Sequence, residues 1–172
     1  MRKLEDVDRK ELVEFLSKGW MTHDGMWFFH CYQRFGIDTA NELNLAAIEG
    51  LSMVEARRMK AFLGLDAGTP WTFSLFKSFT DCIADVLLPD FMRFGYDFPE
   101  ENRLHAYYEP GACWAYKGVK QIGAIGGYRC GVFHRLECWF RAFDLDFTVD
   151  PVVAGCMMHT DGQCYRDFTF RF

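Results

Sequence analysis

The residues best suited to chemistry crowd the C-terminal third of the chain. Cys130 and His134 stand four apart, Cys156 and Cys164 flank an Asp161-Gly162 turn with His159 between them, and Cys113 lies shortly upstream. On a helix, Cys130 and His134 fall on one face. Cys113, Cys130, Cys156 and Cys164 form a chemically adequate set for zinc or iron. Zinc takes four nitrogen or sulfur ligands at about 2.0–2.3 Å, and thiolates ligate once deprotonated. No Cys-x2-Cys knuckle is present, and this favours packed thiols over a metal, because free cysteine is commonly interior. Cys130 also admits a nucleophile reading, with His134 as its base, for a small cysteine-dependent hydrolase acting on an amide. A place at a helix start, after Arg129, suits a thiol of lowered pKa. Buried structural cysteine remains the plainer account of Cys130.

A second constellation lies near the N-terminus. Leu12, Leu16, Gly19, Trp20, His23, Trp27 and His30 recur at helical spacing, with His23 and His30 two turns apart on the stripe. Histidines so placed are either core residues with a hydrogen-bond partner or groups facing a cavity. In the second case Trp20 and Trp27 wall the site, Asp24 is too far round the helix to join, and one histidine could ligate haem iron. His23, Trp27 and His30 are therefore the candidate cofactor contacts. Haem or another tetrapyrrole ranks behind zinc or iron, since no Cys-x-x-Cys-His attachment motif occurs.

The elements that position these groups follow from local signals. Asp8 with Glu11 has the form of a capping box, and Gly36 suits the end of the helix that it starts. A second helix from Asp38 is expected to break at Gly50, where Ser52 and Glu55 offer a fresh box, and to end at Gly64. Thr69-Pro70 suits the start of a third helix from Trp71 to about Leu87, stopped by Pro89. Beyond it, 91–98 and 103–108 alternate as half-buried strands around a 99–102 loop. Cys113 to Tyr116 reads as a third strand, 123–127 as a turn, 130–143 as a helix, and 145–149 and 165–172 as strands. Helices followed by strands predict an α+β domain, N-terminal helices on a mostly antiparallel sheet.

Length and composition bound the rest. At 172 residues the chain fits one domain over 1–172, with a helical half (1–88) and a sheet-rich, cysteine-containing half (89–172). Half of the residues are apolar and 17% are aromatic, enough for a ring-packed core or an aromatic-lined cavity. The net charge of −5 argues against a nucleic-acid partner. No apolar run reaches the roughly 18 residues of a membrane span, and the N-terminus is too charged for a signal peptide. Seven cysteines, an odd count, argue for thiols rather than a disulfide framework, so the reading is a cytoplasmic protein.

The helix beginning at Cys130, the strand through Phe147 and the closing Cys156 … Gly162-Gln-Cys164-Tyr-Arg-Asp-Phe168 resemble the 4-vinyl reductase domain and the L-2-amino-thiazoline-4-carboxylate hydrolase-like proteins. Thr22-His-Asp-Gly-Met-Trp-Phe28 with Arg34-Phe-Gly36 resembles an uncharacterised bacterial and archaeal family of cytosolic proteins that share this ending. The resemblance implies a fold related to haem nitric-oxide-binding and vesicle-tethering domains, small ligands as cargo, and a homodimer. The methionines of Gly155-Cys-Met-Met-His159 depart from the reductase-type pattern, and no catalytic set carries over. The expected function is a sensor or carrier module for a small-molecule ligand, metal or cofactor. Its pocket is expected between the His23/His30 helix and the cysteine-bearing sheet. The alternative is a hydrolase for an amide or thiazoline-type substrate.

Overall fold

A computed structural model describes residues 3–66 and 68–172. The first helix, α1 (Arg9–Phe62), opens where the Asp8 side chain accepts from the Lys10 N–H at 2.6 Å and continues for 54 residues. Gly36, at φ 83°, breaks its regularity, and the helix resumes at once. Only glycine adopts that backbone conformation without strain. The expected end at Gly36 is thus a kink.

The expected break at Gly50 does not occur. Ser52 is fully buried. Glu55 is taken up by α4 (Gly131–Ala142), accepting from Arg135 Nε at 3.0 Å and Trp139 Nε1 at 2.9 Å. A tertiary partner has claimed the carboxylate that a capping box would use. Gly131 permits the close approach of these helices, since a Cβ there would stand 2.6 Å from Ile48 Cδ1.

The helix α2 (Phe73–Leu87) is capped by Thr72, whose hydroxyl accepts from the Leu75 N–H at 3.2 Å, rather than by Thr69. Trp71 stays outside the helix because its indole is committed elsewhere. It donates to the Phe143 carbonyl at 2.9 Å and packs edge-on to Phe79 at 5.2 Å.

Four strands, β1 (Phe94–Glu100), β2 (Arg103–Tyr108), β3 (Asp146–Asp150) and β4 (Cys164–Arg171), form one antiparallel sheet in the order β1-β2-β4-β3. Pro99 lies inside β1, where an edge strand tolerates the missing donor. Cys113 to Tyr116 is not a strand: Cys113 precedes α3 (Trp114–Gln121). A short helix, α5 (Met157–Thr160), leads to β4. Period-two burial sets Leu104, Ala106 and Tyr108 of β2 and Cys164, Arg166, Phe168 and Phe170 of β4 against the helices. Phe76 of α2 meets Phe170 at 4.6 Å, and Phe140 of α4 meets Phe168 at 5.1 Å. The architecture is α+β, N-terminal helices with a four-stranded antiparallel sheet. Among the described residues, no helix is long and apolar enough to cross a membrane.

Candidate functional site: a buried thiol cluster

Three of the four predicted metal ligands occupy equivalent local positions. Cys113 is the N-cap of α3, Cys130 of α4 and Cys156 of α5, while Cys164 begins β4 opposite Tyr108. Each position is fixed from elsewhere in the fold. The turn before Cys113 is closed by the Ala112 N–H donating to the Glu109 carbonyl at 2.9 Å. The loop before Cys130 is clamped by Asn41 of α1, which donates to the Gly127 carbonyl at 2.8 Å and accepts from the Arg129 N–H at 3.0 Å. The Cys130 N–H then donates to the Ala154 carbonyl at 3.1 Å, bringing the segment before Cys156 alongside.

Cys113, Cys130, Cys156 and Cys164 are free thiols, near enough to influence one another's ionisation. Burial pushes the Cys113 thiol up to about 11, Cys130 and Cys156 adding to the rise, while the Tyr116 and Ala115 N–H groups oppose it. Burial pushes Cys164 up to about 12, and Cys130, Cys113 and Cys156 add to it. Cys156 is raised by burial too, against the N–H groups of His159 and Met158. Tyr108 and Tyr128, both buried within reach of these thiols, are held well above the ordinary phenol range, first by burial. Desolvation thus favours the neutral thiols of Cys113, Cys156 and Cys164, against which helix N–H groups at Cys113 and Cys156 favour the thiolate.

A cation completes the cluster. Arg166, inward-facing on β4, is 2% exposed. It donates to the Tyr165 carbonyl at 2.6 Å and the Val153 carbonyl at 3.3 Å, contacts Met157 Sδ at 3.5 Å, and lies over the Phe133 ring at 4.9 Å. No described carboxylate pairs with it, and its charge draws down the Cys156 and Cys164 thiols. A cavity of about 90 Å³ opens beside it, lined in part by Cys130, Phe133, His134 and Arg166. A buried cation without an anion is costly, and such groups are normally paired. Thiolate sulfur is a donor type that zinc and iron accept, and ionised thiols would carry the negative charge that Arg166 lacks beside it. Among the described residues, no group of three or more His, Cys, Asp or Glu side chains is placed to hold a metal ion.

The remaining predicted residues are placed differently. His134 Nε2 lies 3.2 Å from Glu49 Oε1 and 3.5 Å from Cys138 Sγ, so its thiol neighbour is Cys138, one turn along α4, and not Cys130. Trp27 and both histidines of α1 face outward. Trp27 is 63% exposed, His23 and His30 are exposed as well, and none faces a pocket between α1 and the sheet. The inward side of that helix is instead the one carrying Phe28, which meets Tyr128 at 5.6 Å. Arg166 was legible in principle: the alternation that buries Cys164, Phe168 and Phe170 buries residue 166 with them. Tyr108 follows from the alternation of β2 in the same way, while Asn41 and Tyr128 gave no comparable signal.

Residues 3–78 match the model of a family of unknown function, DUF6125. The match covers α1 and the start of α2, so the thiol cluster lies outside it. No curated protein matches the chain. No solved structure matches it.

Proposed function

We propose that this protein is a metal- or cofactor-binding module, a sensor or carrier, whose centre is Cys113, Cys130, Cys156 and Cys164. The observation that carries the reading is Arg166, a buried cation with no carboxylate partner beside the thiols whose ionisation it favours. Zinc or iron bound there supplies a fixed charge and, for iron, redox chemistry. The chain's own part is to surrender the thiol protons, offset the resulting charge with Arg166 and the three helix N-termini, and keep water out with Tyr108 and Tyr128. The cavity beside Arg166 gives a small ligand access to the same centre.

The test is anaerobic loading of the full chain with Zn²⁺ or Fe²⁺, followed by desalting and elemental analysis. Wild-type protein is expected to retain metal and to show slower thiol labelling than the metal-free form. Cys156→Ser and Cys164→Ser are expected to lose both properties. A wild-type protein that retains neither metal and labels identically with and without it overturns the reading.

A further inference from the structure

The outer face of α1 carries a bare aromatic stripe. Val13, Leu16, Trp20, His23, Trp27 and His30 follow one another at alternating steps of three and four residues, the spacing that keeps a seam turned toward a partner helix. Another face of the same helix packs on the body through Phe28, Tyr32 and, past the kink, Ile37. On the stripe itself, Leu16, Trp20 and Trp27 are 60%, 54% and 63% exposed, and Phe15 beside them is 74% exposed. The rings form an ordered ladder. Trp20 stacks on His23 at 6.4 Å, His23 meets Trp27 at 6.4 Å, and Trp27 Nε1 donates to His23 Nε2 at 3.2 Å. A surface ordered before contact loses little side-chain freedom on binding.

We propose that this ladder is the seam of a symmetric homodimer, in which the first half of α1 packs antiparallel on the same helix of a second copy. The inference stands apart from the metal reading. Three features select a second copy as the occupant. The first is the 3–4 spacing over nearly three heptads, which another helix of the same period matches. The second is self-complementarity. Antiparallel pairing about a two-fold axis sets His23 against Trp27, Trp20 against His30 and Leu16 against Arg34. A parallel pair stacks Arg34 on Arg34 and each histidine on itself. The third is area. With aromatic side chains contributing roughly 150–250 Å² each, the stripe offers about 500 Å² per copy. That lies in the upper part of the roughly 300–600 Å² range of the largest apolar patch on a typical monomer, a size that is often functional, and a polar rim brings it toward the roughly 800 Å² per partner of a standard interface.

Sedimentation equilibrium on the full chain, from about 1 to 100 μM, tests this. The wild type is expected to be a dimer. Trp20→Glu/Trp27→Glu is expected to dissociate at least about a hundredfold more readily with its far-ultraviolet circular dichroism unchanged, since both residues are solvent-facing. Trp27→Ala, which introduces no charge, is expected to weaken the dimer in the same direction, and Val152→Glu, at an 85% exposed site elsewhere, to leave it intact. A wild type monomeric throughout that range overturns the proposal. So does a dimer that neither tryptophan variant weakens.

Discussion

Arg166 lies over the Phe133 ring at 4.9 Å, a buried guanidinium resting on an aromatic face while its N–H groups, among the described residues, reach carbonyls and a thioether. The ring offers the cation an attraction of about 2 kcal/mol when desolvated. What is missing is full negative charge, and the neighbouring thiols are the groups able to acquire it. Arg166→Leu is therefore expected to weaken Zn²⁺ binding by about 10–100-fold, the range for removing an outer-shell partner. Arg166→Lys, which keeps the charge, is expected to lose less. Competition against a chromophoric chelator measures both, and equal affinity in wild type and Arg166→Leu would remove Arg166 from the account.

The thiol cluster predicts a pH dependence for the metal-free protein. Cys113 and Cys164 are raised from the ordinary 9.0 to about 11 and about 12, so the folded chain holds these protons more tightly than the unfolded chain does. Below pH 9 both states are protonated and nothing is lost. Above it the unfolded state ionises first, and stability falls as pH climbs toward the folded values, by about 1.4 kcal/mol per pH unit for each thiol. Denaturant midpoints taken from pH 8 to 11 are expected to slope downward, and Cys164→Ala is expected to flatten the slope. A midpoint independent of pH over that range contradicts the burial of these thiols.

How much of this was legible in the sequence depends on how local each signal was. Asp8 caps its helix as read because the cap needs only its own first turn. The strands around 91–98 and 103–108 follow from alternation, which reports burial on one face. Glu55 misleads because its partners lie eighty or more residues away on α4, and Ser52 because tertiary packing buries it inside α1. Cys113 to Tyr116 reads as a strand from its residue types, yet these four residues form the cap and first turn of α3. The four cysteines are grouped in the sequence by their chemistry, and in the fold Cys113, Cys130, Cys156 and Cys164 bear on one another's ionisation. The direction in which the α1 histidines point was not legible. A stripe of Trp and His at helical spacing says that one face is apolar, and nothing in it says whether the covering partner is the rest of this chain.

Ser52 carries a prediction of opposite sign to most core changes. Its side chain is fully buried, and its hydroxyl oxygen has no hydrogen-bond partner among the described residues. A buried hydroxyl without a partner costs roughly 1–3 kcal/mol. Ser52→Ala removes the oxygen while leaving a good helix former within α1. It is expected to raise the denaturation midpoint by about 1 kcal/mol equivalent, and a clear loss of stability would mean that the hydroxyl is engaged.

Glu55 makes the converse case. Its carboxylate, on the side of α1 that meets α4, accepts from both Arg135 and Trp139, and Arg135 in turn lies 4.9 Å over the Trp139 ring. The three side chains form one unit whose members hold each other in place, so their contributions are not additive. Glu55→Ala leaves an indole N–H and a half-buried guanidinium without their acceptor, at a cost of about 1–3 kcal/mol. Glu55→Gln keeps an acceptor for Trp139 and is expected to cost less. The decisive measurement is a double-mutant cycle with Arg135→Ala by urea denaturation. If the unit acts as described, the two truncations together cost less than the sum of the singles by at least about 0.5 kcal/mol. Strict additivity would show that the Glu55 cluster contributes no coupling between α1 and α4.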